Sequence, residues 1–254
     1  MSACINNGGP GSRFLLPETP QLEQPVFLDE SAHAPLEAWK SRPGEIITLC
    51  GPAGDFYRGR LHRDDSGELT VIPFDQLVEP AESQLHLTVV QALPQRERFE
   101  LVLQKLTELG VQRIVPCTTA HSITLDERDA GQKKSHRWPE VILRAARQCR
   151  RAELPELFPV LEPESMLELV ADCDLLLVLK EGQAPWRLRE LLERERPFRV
   201  ALLVGPEGGF AESELNMFRS AGFVEASLGS RILRTETAAI VGTALLQHVY
   251  GDLG

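Results

Sequence analysis

No apolar run in this chain approaches the roughly 20 residues needed to cross a bilayer. The opening residues, MSACINNGGPGSRF, hold no apolar core of the kind a secretory leader needs. Neither a membrane span nor a leader is therefore expected, and a cytoplasmic protein is. The five cysteines (Cys4, Cys50, Cys117, Cys149, Cys173) form no C-x-x-C pair, and an odd count does not suit a disulfide framework. Reduced thiols are the expectation. The six histidines show no H-x-x-x-H or mixed Cys/His spacing, so no metal site is expected. A G-x-S-x-G elbow is missing, which removes the usual serine hydrolase arrangement. So are G-K-[ST] and G-x-G-x-x-G, which argues against a phosphate-loop NTPase and a nicotinamide dehydrogenase. Tryptophan is scarce and scattered, and offers no base-stacking platform. Basic residues are outnumbered by acidic ones, 27 to 37, and a net charge of −10 opposes a broad polyanion-binding surface.

What remains is the composition of an ordinary globular protein, 43% hydrophobic and 25% charged over 254 residues. The charge is uneven. From Lys133 to Arg151 seven basic residues (Lys133, Lys134, Arg137, Arg144, Arg147, Arg150, Arg151) face one acid, Glu140. Arg144, Arg147 and Arg151 share a helical face, and such a stripe is compatible with a confined polyanion footprint or with a solvated surface.

The Gly- and Asn-rich residues up to Ser12 are expected to be disordered. From Phe14 to about Val78, short apolar runs alternate with turn signals at Pro43-Gly44, Gly51-Pro52-Ala53-Gly54 and Asp64-Asp65-Ser66-Gly67. They predict strands at Ile46–Cys50, Phe56–Leu61 and Leu69–Phe74 in a small β-barrel over 13–82. The acidic stretch Gln76–Ser83 is expected to be a linker. From 83 to 254 the pattern alternates strand and helix. Strands are expected at Leu85–Ala92, Val111–Pro116, Leu175–Leu179, Arg199–Val204 and Val224–Leu228. Helices are expected at Arg98–Leu109, Pro139–Arg151, Trp186–Glu195, Glu212–Ala221 and Glu236–Tyr250. Apolar strands joined by helices indicate an α/β domain with a parallel sheet.

Two loops carry the chemistry: LLVGPEGGF (Leu202 to Phe210) and LGSRILRTETAA (Leu228 to Ala239). Each follows a predicted strand and leads into a predicted helix. In the first, Glu207 within the glycine loop repels phosphate, so a ligand that is cationic, or bears hydroxyls and an amine, suits it better. A plain turn is the alternative. In the second, Arg231 and Arg234 could bind phosphate or a developing oxyanion, and Glu236 could pair with either. Alternatively, Thr235 and Glu236 merely cap the last helix.

At these loops the chain resembles the RsmE family of ribosomal RNA methyltransferases, within the SPOUT (trefoil-knot) superfamily. Two upstream segments agree as well, LVLQKLTELGVQRIVP (Leu101–Pro116) and AARQCRRAELPEL (Ala145–Leu157). The resemblance implies a trefoil-knotted parallel-sheet methyltransferase domain over 83–254, preceded by a PUA-like RNA-binding barrel. It implies S-adenosylmethionine as cofactor, a homodimer, and methylation of uridine N3 in 16S ribosomal RNA of the small subunit. Carried over by position, the cofactor residues are Leu179, Gly205, Pro206, Glu207, Gly208, Gly209, Leu228, Gly229, Ile232, Leu233 and Thr237. Arg231, Arg234 and Glu236 are the catalytic candidates, with Glu236 as proton acceptor and an arginine stabilising the imide anion. Arg144, Arg147 and Arg151 are the RNA-binding candidates. The chain has Gln95-Arg96 where the family usually has Lys-Gly, so that a nearby arginine would substitute, and Ala211 where the family has a capping serine. A non-catalytic RNA or ribosome binder, and a SPOUT enzyme acting on another RNA such as tRNA, are the competing readings.

Overall fold

The computed structural model describes residues 6–63, 68–95, 98–131, 135–182, 184–192 and 196–254. The expected turn at 64–67, Arg96, Lys133, Lys134 and the end of the helix expected to run to 195 lie outside the described residues. The described chain forms two compact units, one of 6–82 with 146–154, the other of 83–145 with 155–254.

The first unit is built on five strands and one short helix: β1 (Phe14–Leu15), β2 (Val26–Phe27), α1 (His33–Ala38), β3 (Ile46–Cys50), β4 (Phe56–Arg63) and β5 (Leu69–Gln76). The sheet order is β1-β3-β4-β5-β2, with β1 parallel to β3 and the other pairs antiparallel. Along β4, Tyr57, Gly59 and Leu61 are buried while Arg60 and His62 are exposed, the alternation of a sheet with one wet face. The sheet closes over Leu49, Leu61 and Val71, and burying each such side chain is worth about 1.5–3 kcal/mol.

Two expectations are corrected here. Residues 6–12 are ordered: Ser12 is buried, its hydroxyl donates to the Gly9 carbonyl at 2.7 Å, and Leu154 N–H donates to that hydroxyl at 2.9 Å. Gly9 N–H in turn donates to the Leu154 carbonyl at 2.7 Å, so a segment poor in apolar residues is held by hydrogen bonds. The stretch expected to be a linker also ends in a buried anchor. Glu82 pairs with Arg151 at 2.7 Å and accepts the N–H groups of Ala152 and Glu153.

In the second unit the chain runs β6 (His86–Ala92), α2 (Phe99–Glu108), β7 (Arg113–Cys117), α3 (Leu125–Gly131), α4 (Trp138–Cys149) and β8 (Glu156–Leu157). It continues through α5 (Pro163–Val170), β9 (Leu175–Leu179), β10 (Trp186–Arg187), α6 (Leu188–Leu191) and β11 (Arg199–Val204). The last elements are α7 (Glu212–Ser220), β12 (Val224–Ser227) and α8 (Thr235–Tyr250). The last four residues of α4, 146–149, belong to the first unit. The seven strands are all parallel, in the order β10-β12-β9-β11-β6-β7-β8.

Both sheet faces are covered, which is why these strands read as continuous apolar runs. Leu87, Val89, Leu202 and Val204 enter one core with α2 and α8, while Val90, Ala92, Ala201 and Leu203 enter another with α5 and α7. The last helix lies close on the sheet at Gly242, where an added Cβ would stand 3.1 Å from Leu179 and Leu202. The helix expected at Trp186–Glu195 is corrected: Trp186 and Arg187 pair with β12 as an edge strand, and the helix spans only Leu188–Leu191. Sheet hydrogen bonding there overrides the local helical pattern. Helices α3 and α5 had no counterpart in the sequence reading. Among the described residues no helix is long and apolar enough to cross a membrane.

Candidate active site

Strand order brings the two glycine loops together. Strands β12, β9 and β11 are adjacent and parallel, so the residues that follow them emerge at one edge of the sheet, where open α/β sheets bind ligands. There the chain forms a cleft of about 440 Å³, within the size range of small-molecule sites. The end of β9 supplies Leu179, Lys180 and Glu181; after β11 come Gly205 through Phe210; after β12, Leu228, Gly229 and Arg231 through Thr235. All the cofactor candidates except Thr237 line this cleft, and so do Arg231 and Arg234. Glu236 and Thr237 lie on the first turn of α8, outside the lining.

Polar contacts from elsewhere in the unit hold the loops. Thr235 caps nothing with its side chain; its hydroxyl instead donates to the Gly205 carbonyl at 2.5 Å. Buried Gln91 on β6 donates to the same hydroxyl at 2.9 Å, tying β6, the last helix and the first glycine loop together. Glu207 accepts the N–H of Gln95 at 2.9 Å, and the His121 ring lies 3.2 Å from the Gly209 carbonyl through Nδ1. Gly208 passes so near His121 that an added Cβ would lie 2.9 Å from it. Gly229 has φ +123°, a conformation that only glycine adopts without strain. At the start of α7, Ala211 offers no cap, but Glu214 accepts its N–H at 2.8 Å and that of Ala120 at 2.8 Å. The carboxylate makes the return half of a capping box, the bond to the N-cap residue's own N–H, which is distinct from the one a serine hydroxyl would accept.

The cleft is amphipathic. Ile232 is 79% exposed beside Leu179, Leu228 and Leu233, an apolar patch left open to a ligand. Lys180 reaches Glu225 at 3.1 Å, and Arg219 closes on the same carboxylate at 2.5 Å. Arg231 and Arg234 are exposed and make no ion pair among the described residues. Glu236 is 7% exposed and its Oε1 stands 3.2 Å from Nη1 of Arg98, at the start of α2.

Gln95, Arg98, His121, Lys180 and Glu181 were not singled out from the sequence. Only Gln95 carried a signal, as a departure from the family pattern next to a nearby arginine. No cysteine is among the residues lining the cleft, and burial pushes the Cys50 and Cys173 thiols up to about 11 and raises Cys117 further. Among the described residues no group of three or more His, Cys, Asp and Glu is placed to hold a metal ion.

The basic stripe divides. Arg144 is exposed and donates to the carbonyl of Glu140 at 3.3 Å. Arg147 donates to the carbonyls of Trp39 and Lys40 and lies 3.5 Å from Glu45. Arg151 is 5% exposed and bound to Glu82, which leaves little of its guanidinium facing outward to meet a phosphate.

Comparison with known proteins points one way. The profile of a family described as RNA methyltransferase domain matches residues 81–247. The ribosomal RNA small subunit methyltransferase E of Mycobacterium bovis is 34% identical, over 84% of this chain and 81% of its own length. The enzyme of that name from Bacillus subtilis is 26% identical over 89% of this chain and 91% of its own. The crystal structure of ribosomal RNA small subunit methyltransferase E from Neisseria gonorrhoeae, bound to S-adenosyl methionine, superposes with a TM-score of 0.65. It is 30% identical, over 95% of this chain and 99% of that one.

Proposed function

The chain belongs to this RNA methyltransferase family, and we propose that it methylates N3 of a uridine in 16S ribosomal RNA of the small subunit, with S-adenosylmethionine as donor. The observation that carries this reading is the cleft itself. Loops from three adjacent strand ends supply apolar side chains, glycine backbone and both signs of charge around about 440 Å³. That set fits the cofactor: Leu179, Leu228, Ile232 and Leu233 suit an adenine, and the glycine backbone suits ribose and amino-acid polar groups. Glu207 and Glu181 suit positive charge, and Arg231, Arg234 and Lys180 suit a carboxylate. S-adenosylmethionine, when bound, supplies a methyl group on a cationic sulfur.

The chain's own part is to orient the uracil and handle the N3 proton. Uracil N3–H is a weakly acidic imide, so it needs a base at N3 and positive charge beside the flanking carbonyls. Glu236 takes the proton, and Arg231 or Arg234 stabilises the imide anion. Glu236 is buried while the arginines are exposed at the cleft, which suits one to proton transfer and the others to substrate contact.

We assign residues 13–82 to a PUA-like RNA-docking barrel and 83–254 to a SPOUT methyltransferase domain whose C-terminal chain is threaded as a trefoil knot. A homodimer is proposed on the outward face of α8. Val241, Leu245 and Val249 recur there at helical spacing, and Leu245 and Val249 are 37% and 42% exposed. Arg144 is proposed to meet RNA phosphate, in a cytoplasmic enzyme. The test is calorimetric titration with S-adenosylmethionine, then incubation of the purified protein with labelled cofactor and small subunits lacking the methyl group. Binding plus label in 16S RNA is expected. Binding without label favours the non-catalytic binder, and no binding refutes the reading.

A further inference from the structure

We infer that Arg98 and Glu236 together form the reader of the uracil imide edge, with Arg98 as the specificity-determining partner of the base. The inference rests on the uridine-N3 reading above. Uracil presents an acceptor, a donor and an acceptor in a row: O2, N3–H and O4. Cytosine presents an acceptor at N3 and a donor at N4. A carboxylate that accepts beside a guanidinium that donates complements the first pattern and opposes the second. Glu236 Oε1 and Arg98 Nη1 stand side by side at 3.2 Å, one residue beyond the cleft-lining Thr235. The carboxylate side chain is 9% exposed and the guanidinium side chain 48% exposed, so the donor of the pair still faces outward.

The placement of Arg98 is firm. The next residue, Phe99, is fully buried, 4.6 Å between ring centroids from Trp138. The guanidinium of buried Arg128 stacks over both rings, 5.3 Å from Phe99 and 5.2 Å from Trp138. Three residues before Arg98, the N–H of Gln95 is fixed on Glu207 of the first glycine loop. Gln95 and Arg98 thus each meet a carboxylate, Glu207 in the cleft lining and Glu236 beside it. A surface ion pair would be worth little for stability; joined to a buried carboxylate beside the cleft, it defines a donor–acceptor pattern instead. Uracil N3–H bonds to the carboxylate, and a guanidinium N–H bonds to the neighbouring carbonyl.

The experiment compares the full-length protein with its Arg98→Lys, Arg98→Gln and Glu236→Gln variants. The substrates are small subunits lacking the methyl group and carrying uridine or cytidine at the target position. The readouts are kcat and KM for label transfer, RNA affinity without cofactor, and calorimetric affinity for S-adenosylmethionine. Arg98→Gln is expected to lose about 100-fold in kcat/KM on uridine subunits, with cofactor affinity within about twofold. Arg98→Lys, which keeps a charged donor, is expected to recover about tenfold of that loss. Glu236→Gln, whose amide can donate to cytosine N3, is expected to raise cytidine binding relative to uridine by about tenfold. Arg98→Gln turning over uridine subunits at the parent rate overturns the inference. So do equal losses in Arg98→Lys and Arg98→Gln with an unchanged uridine-to-cytidine ratio, which mark a purely structural pair. No transfer by the unmodified protein overturns the function reading and this inference together.

Discussion

Arg231 and Arg234 stand exposed in the cleft and make no ion pair among the described residues, whereas Arg151 is buried against Glu82. In the sequence both groups are arginines near predicted helix ends, and each was a candidate functional residue. The difference lies in what the fold brings beside them. Residues 151–153 form a turn whose N–H groups and guanidinium converge on a single carboxylate 69 residues away in sequence. Charge taken out of water needs such a partner, and once matched it is no longer available to a ligand. Among the described residues the cleft arginines meet no carboxylate of that kind, and their donors face the cleft. A cluster of basic residues in a sequence therefore counts potential contacts, and burial decides how many survive.

The largest effect that would sharpen this contrast is expected for Arg234→Ala. Losing a cation from the cleft should lower methyl transfer by about 1000-fold with unchanged circular dichroism and elution volume; parent-like turnover would remove Arg234 from the site. Glu82→Ala should act in the opposite way, through stability. It strands the buried Arg151 charge and should cost about 3–5 kcal/mol by urea unfolding. Replacing both residues with leucine should recover most of that loss, and a double variant as unstable as the single one would break the account. Gly242→Val separates damage to the fold from damage to charge. It places methyl groups against Leu179 and Leu202 and should cost about 1–3 kcal/mol, and an unchanged melting midpoint would contradict that packing. The smallest effect is expected for Arg144→Ala: a few-fold loss in RNA affinity and a salt-dependence slope shallower by about one. An unchanged slope would take Arg144 out of the interface.

The glycine loops were legible because everything that marks them is local: a strand-like run, the loop, and the start of a helix. For the same reason the strands Leu175–Leu179 and Arg199–Val204 fall where the apolar runs predict them. The partners of those loops were not legible. Gln91, Gln95 and His121 touch cleft-lining residues, and Arg98 touches Glu236 beside them, only because β6 and the segments after β6 and β7 lie near the glycine loops in space. Apart from Gln95, which departs from the family pattern, nothing in their own neighbourhoods distinguishes them from surface polar residues. The order of residues 6–12 was missed for a similar reason, since it depends on hydrogen bonds to Leu154 rather than on apolar content. At Trp186, helical periodicity was outweighed by pairing with β12, which no local pattern reports.

The central claim is that the cleft between the strand-end loops serves methyl transfer to uridine N3. Its most direct test is mass spectrometry of nucleosides from 16S RNA, after small subunits lacking the methyl group are incubated with this protein and S-adenosylmethionine. One new nucleoside, 3-methyluridine, is the expected result. A methylated ribose, a different methylated base or unchanged RNA would contradict it.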